Sequence, residues 1–223
     1  VTADGSGEIN VRFDRNDGVN SNVIFIGALA IQQAITPSTA VTFSSGTLTV
    51  NLVGGQDAAV TSSGGSGGVV QVSIDGTPVS FGTVTPGSVQ SIVVNGGSGG
   101  NAVDLGSVSP SSFTNGGGVI VTVNALGGND SLTGSAFSDT LNGGDGADSI
   151  IGGEGNDLID GGSGDNQLFG DAGSDTISGL FGRDLIRGGD DGDLLNGGNG
   201  FDTLAGERGD DTIIGGNGND TVF

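Results

Sequence analysis

The sequence predicts an all-β chain in which short strands stack as a solenoid, and three observations carry that prediction. Glycine supplies 49 of the 223 residues, which suits a chain that turns every few residues. From Ala125 to Phe223 the chain divides into eleven nine-residue blocks without insertion, among them GGDGADSII (143–151) and GGEGNDLID (152–160). Two columns run through those blocks. The sixth position is Asp in ten of the eleven, and the eighth is aliphatic in all eleven.

Each column has a physical role. The last three residues of a block make a minimal strand, its central side chain pointing in and its neighbours out. One aliphatic per strand fills only a thin core, so copies must stack to bury it. The aliphatic column is Leu132, Leu141, Ile150, Ile159, Leu168, Ile177, Ile186, Leu195, Leu204, Ile213 and Val222. The six residues before each strand must turn sharply. Glycine at the first, second and fourth positions is expected to take positive φ there and to leave carbonyls unobstructed. Aspartate at the sixth position sets a carboxylate beside those carbonyls. Hard oxygen donors with no sulfur or imidazole nearby suit calcium.

The pattern GGxGxDxUx resembles the RTX (repeats-in-toxin) calcium-binding nonapeptide family over residues 125–223. Blocks three, four, nine and eleven match it at every defined position. The resemblance implies a right-handed parallel β-roll in which two blocks make one coil of 18 residues. It also implies calcium between the loops of a block and the next block but one. The carboxylate ligands would be Asp130, Asp139, Asp148, Asp157, Asp175, Asp184, Asp193, Asp202, Asp211 and Asp220. The carbonyl ligands would be Gly144, Gly146, Gly153, Gly155, Gly162, Gly164, Gly173, Gly182, Gly189, Gly198, Gly200, Gly209, Gly216 and Gly218. Eleven blocks offer up to nine such gaps for Ca2+. Asn166 departs from the pattern and weakens its two gaps, and the first two blocks lack most of their glycines.

Residues 41–124 read as a β-rich lead-in, with strands at TLTVNLV (47–53), VVQVSID (69–75), TPVSFGTV (77–84), VQSIVVN (89–95) and VIVTVNA (119–125). GGSGGNAVD (96–104) fits the nonapeptide with Asn101 in the aspartate place and Val103 in the core place. VNLVGGQDAAVTSSG (50–64) parallels VNALGGNDSLTGS (123–135), which sets Asp57 against Asp130. Two readings fit the segment: a degenerate, longer-looped solenoid, or a separate β-sandwich packed on the roll. Asp57 and Asp104 read as solvated loop acids rather than as cation ligands. In residues 1–40, GEINVRFD (7–14) and NVIFIGALAIQQ (22–33) read as two strands, similar to the closing strands of a carbohydrate-binding β-sandwich.

Charge narrows the function. The chain carries −21, and residues 125–223 alone carry −16, from nineteen acids against three arginines. Such a surface repels the phosphates of nucleic acid and attracts cations. The longest apolar stretch, VIFIGALAIQQAI (23–35), is too short to span a bilayer. Without Cys, His, Lys or Tyr, most general bases and covalent nucleophiles are missing. Arg183, Arg187 and Arg208 fall at outward positions and read as surface counter-charges. The chain is expected not to be an enzyme.

Without cation, the acidic glycine-rich repeats should stay unfolded, because loop entropy and self-repulsion outweigh one aliphatic per block. Extracellular calcium modules have dissociation constants of about 10⁻⁴ to 10⁻³ M. The expectation is therefore a secreted, extracellular or cell-surface solenoid, structural or adhesive, folded by millimolar calcium. Further expected partners are other copies of the chain, surface proteins or polysaccharide. The alternative is a C-terminal secretion and folding module of an enzyme whose catalytic domain lies upstream. At the ninth position, Ile151, Phe169, Arg187, Ala205 and Phe223 share one face, and Asn142, Asp160, Ser178, Asn196 and Ile214 the other.

Overall fold

The computed structural model describes residues 2–3, 9–10, 40–63, 69–75, 77–79, 83–113 and 118–223. It divides into two compact units, Val1–Ser38 and Thr39–Phe223. In the first, β1 (Thr2–Ala3) pairs antiparallel with β2 (Ile9–Asn10). Apart from Ile9 and Asn10, the strands read at 7–14 and 22–33 lie outside the described residues.

The second unit is a parallel β-solenoid. Its lead-in holds β3 (Ala40–Ser44), β4 (Thr47–Asn51), β5 (Ala58–Ser63), β6 (Val69–Ile74), β7 (Thr77–Val79), β8 (Ser91–Asn95), β9 (Ala102–Asp104) and β10 (Ile120–Asn124). The repeats add β11 (Ser131–Thr133), β12 (Asp139–Asp145), β13 (Ser149–Glu154), β14 (Leu158–Ser163), β15 (Gln167–Ala172) and β16 (Thr176–Ser178). They continue with β17 (Leu185–Asp190), β18 (Leu194–Gly200), β19 (Thr203–Arg208), β20 (Thr212–Gly218) and β21 (Thr221–Val222).

Strands alternate between two sheets. One runs β3-β4-β8-β10-β12-β14-β16-β18-β20, the other β7-β6-β5-β9-β11-β13-β15-β17-β19-β21. The strands of residues 47–124 thus lie in the same two sheets as the repeats. A column of asparagines marks the coil length along the first sheet. Asn95 donates to Asn51, 44 residues back, Asn124 to Asn95, 29 back, and Asn142 to Asn124, 18 back. The lead-in coils are longer because they carry extra elements. One adds the antiparallel strands β6 and β7, and another a folded loop that buries Leu105, Val108 and Phe113.

The core is a stack of aliphatic rungs between the sheets. In the repeats Leu132, Leu141, Ile150, Ile159, Leu168, Ile177, Ile186, Leu195 and Leu204 are each at most 1% exposed. Ile151, Phe169, Arg187 and Ala205 align across β13, β15, β17 and β19, on the face the nine-residue register predicts for them.

The glycines divide their work differently from the sequence expectation. Those at the second and fourth positions do take positive φ, for example Gly144 at 105° and Gly146 at 142°. Among the described residues, none at the first position does. At four of the five second positions without glycine the backbone keeps the turn regardless: Leu126, Asp171, Leu180 and Glu207 have φ of 76°, 71°, 67° and 73°, while Ser135 does not take positive φ. An L-residue in that region is strained by about 1–2 kcal/mol. Leu126 is 60% exposed and makes little packing contact. Leu126→Gly is therefore expected to stabilise the calcium-loaded protein by roughly 0.5–1 kcal/mol, after the flexibility that glycine adds to the unfolded chain. A thermal melt in calcium checks this.

Candidate metal centres

All ten sixth-position aspartates fall into two ladders, one along each side of the roll. In the first, the backbone N–H of Asp130 donates to Oδ1 of Asp148 (2.8 Å), that of Asp148 to Oδ1 of Asn166 (3.0 Å), and that of Asn166 to Oδ1 of Asp184 (2.9 Å). It continues from Asp184 to Asp202 (2.9 Å) and from Asp202 to Asp220 (3.0 Å). The second ladder runs Asp139, Asp157, Asp175, Asp193 and Asp211, with bonds of 2.7–2.9 Å. The 18-residue coil places each carboxylate one strand spacing, about 4.8 Å, from the next. Among the described residues no three acidic side chains converge on one point, so a cation here would need further oxygens, from carbonyls or water.

The other carboxylate oxygen is the informative one. Oδ2 of Asp130, Asp148, Asp157, Asp175, Asp184, Asp193 and Asp202 is buried and accepts no hydrogen bond. An unpaired buried oxygen of an ionised group is costly, and native proteins satisfy such groups. First-position glycines show what lies beside it. A Cβ on Gly143 would meet Asp148 Oδ2 and lie 2.7 Å from the Gly161 carbonyl oxygen; one on Gly152 would meet Asp157 Oδ2 and lie 2.8 Å from Gly170 O. The same pairing recurs at Gly170, Gly179, Gly188 and Gly197. Carboxylate and carbonyl oxygens thus face one space, and only glycine leaves it open. Acceptors alone, all oxygen, suit a hard cation such as Ca2+.

These first-position carbonyls are oxygens that the sequence pattern did not single out. Their signal was the glycine itself, whose need here is clearance rather than handedness. The glycines that the pattern assigned as carbonyl donors, from Gly144 to Gly218, all sit in the turns with positive φ. Their carbonyls point along the stack: a Cβ on Gly162 would meet Gly144 O, and one on Gly164 would meet Gly146 O. Some are already engaged, since Gly162 O accepts from Phe181 N–H at 3.0 Å.

Three positions depart from the scheme. Both oxygens of Asp139 are taken up by Ser135, one by its N–H and the other by its hydroxyl. Asn166 replaces the orphaned oxygen with an amide nitrogen that donates to Gly164 O at 3.0 Å. Asp57 does not occupy the place of Asp130. Ala58 pairs with Val103, which pairs with Leu132, so Asp57 falls in register with Ser131, an outward position. Both Asp57 and Asp104 are exposed. The sequence alignment slips there because the lead-in coil is longer than the repeat.

Burial raises these carboxyls when no cation is beside them. Asp157 is pushed up to about 7 by desolvation, with repulsion from Asp139, Asp175 and Asp171 adding to it. Desolvation likewise raises Asp139, Asp175 and Asp184 to about 6. A group whose folded pKa exceeds its unfolded value stabilises the fold at low pH and loses that contribution as pH rises through the folded value. In calcium-free buffer, acidification from pH 8 to pH 4 is therefore expected to increase strand signal in circular dichroism. A flat profile across that range would contradict it.

The three arginines of the repeats each have an acidic neighbour one coil away or close by. Arg183 pairs with Asp165 (3.4 Å), Arg187 with Glu207 (3.6 Å) and Arg208 with Asp190 (3.2 Å), all exposed.

The model of the RTX calcium-binding nonapeptide repeat, which spans 4 copies, matches residues 124–159, 151–186, 160–195, 169–204 and 187–222. Residues 124–222 are RTX calcium-binding nonapeptide repeats. No curated protein and no solved structure matches the chain. The RTX assignment and the orphaned oxygens agree on the cation, and the donor set fits it. The site residues would supply carboxylate and backbone oxygens, and the bound ion would supply the positive charge that both ladders lack. Asn166 makes one rung of an RTX ladder neutral and self-satisfied. Asn166→Asp is expected to add one calcium ion to the count in a native mass spectrum. An unchanged count would mean that this rung is no cation place.

Proposed function

We propose that this chain is a secreted, non-catalytic structural element of a cell surface, whose repeat coils form when the chain meets millimolar calcium and whose solenoid then associates side by side. The observation that carries the reading is the pair of aspartate ladders, with seven buried oxygens that nothing in the protein satisfies. A chain that depends on external cations for folding stays extended where calcium is scarce and becomes a rigid rod where it is abundant. Ten of the nineteen acids of residues 125–223 are committed to those ladders. Among the described residues, no helix is long and apolar enough to cross a membrane. Ile151 and Phe169 adjoin on one sheet face, and Leu158 and Leu194 stand exposed on the other, apolar surface of the kind that favours association.

Electron microscopy and light scattering in millimolar calcium, repeated after chelation, test the assembly. Filaments or sheets that dissolve on chelation are the expected result. A monomer at every calcium concentration would remove the structural role and leave only a folding module.

A further inference from the structure

We propose that the coils of residues 40–124 are a cation-free template on which the calcium-dependent coils stack, and that one residue per half-coil decides which kind each coil is. The proposal rests on the reading that calcium holds the aspartate ladders.

On one side of the solenoid, the column that carries Asp139, Asp157, Asp175 and Asp193 does not stop at Asp139. Val121 pairs with Asp139, Ile92 with Val121, and Leu48 with Ile92. The aspartate place is thus occupied upstream by three aliphatic side chains, each at most 1% exposed. Lead-in strands of this sheet therefore put two aliphatics into the core, as in Leu48 and Val50, Ile92 and Val94, and Val121 and Val123. Repeat strands put in one aliphatic and one aspartate.

On the other side the column is neutralised differently. Asn101, 2% exposed, precedes Asp130 in its ladder, and its backbone N–H donates to Asp130 Oδ1 at 2.6 Å. Its amide nitrogen reaches the preceding coil and donates to Gly54 O (2.9 Å) and Gln56 O (2.8 Å), while its oxygen accepts from Gly97 N–H (3.0 Å). The amide thus joins two coils by bonding turn carbonyls, the task that falls to a cation further on. Orphaned carboxylate oxygens begin at Asp130, and among the described residues none lies before it.

Along the first sheet the junction is tied by neutral amides. The asparagine column Asn51, Asn95, Asn124 and Asn142 ties the lead-in to the first full repeat coil through bonds of 2.8, 3.1 and 2.9 Å. At the next coil the same place holds Asp160, and the amide column ends. The first coil of a solenoid has nothing to stack on, which makes nucleation the slow and costly event. Here β9 and β10 present formed edges to β11 and β12, so calcium-driven folding starts beside Asp130 and proceeds towards the C-terminal repeats.

Hydrogen exchange read by mass spectrometry on the full chain, in millimolar calcium and in chelator, tests this. Peptides covering 47–51, 91–95 and 120–124 are expected to stay protected in chelator, while those covering 158–163, 185–190 and 203–208 lose protection. Loss of protection in both groups together would overturn the template. Protection of both groups in chelator would overturn the calcium reading on which it rests. Asn101→Asp extends the carboxylate ladder one coil upstream and is expected to make the protection of 91–104 depend on calcium. Wild-type protection of that segment in chelator would again overturn the proposal.

Discussion

Stripping calcium from the folded protein is expected to unfold residues 130–222, seen as loss of strand signal in circular dichroism and its return when calcium is restored. The magnitudes make this the largest effect. Each buried carboxylate left ionised without a partner costs several kcal/mol. A ligand at ten times its dissociation constant stabilises the state that binds it by about 1.4 kcal/mol per site. Seven such sites together supply about 10 kcal/mol, which is comparable to the whole stability of an ordinary domain. Protonation partly replaces the cation, so the loss should be sharper at pH 8 than at pH 5, below the value of about 7 to which Asp157 is raised.

Gly152→Ala is expected to weaken calcium-dependent folding strongly, because the added methyl group enters the candidate cation space without any change of backbone handedness. The new Cβ would meet Asp157 Oδ2 and lie 2.8 Å from Gly170 O, two oxygens that face the candidate cation. Neither can retreat, because Asp157 Oδ1 is held by Asp139 N–H and Gly170 opens the next rung. Overpacking of this kind costs about 1–3 kcal/mol before any loss of cation binding. The calcium midpoint for folding should rise and the melting temperature fall by several degrees. Gly127→Ala is the control: its Cβ would lie 3.7 Å from Asp145 O, an ordinary contact, and folding should be unaffected. Equal behaviour of the two variants would show that the first-position space is not confined.

The two columns of the repeat were legible because an 18-residue coil with no insertion keeps every residue in phase. Asp148 and Ile150 hold the same relation to their coil as Asp184 and Ile186, so period alone located both the core and the ladders. The reading failed where phase or packing intervened. Asp57 was matched to Asp130 because the glycines before each look alike, yet sheet pairing moves it one place outward. The succession of Leu48, Ile92 and Val121 into Asp139 could not be seen, because coils of 44 and 29 residues break the period. First-position glycines were assigned to positive φ, whereas Gly143 and Gly152 are required by the carboxylates beside them. Capture of Asp139 by Ser135 follows from a hydroxyl in a glycine place, a local substitution with no periodic signature.

The most direct test of the account is the number of calcium ions carried by the folded protein in a native mass spectrum recorded from calcium-containing buffer. The account predicts a discrete folded species with several calcium ions, since seven orphaned oxygens require them, and one fewer in Asp175→Asn, where an amide replaces an orphaned carboxylate as Asn166 does. A folded species carrying no calcium, or a count that Asp175→Asn leaves unchanged, would contradict it.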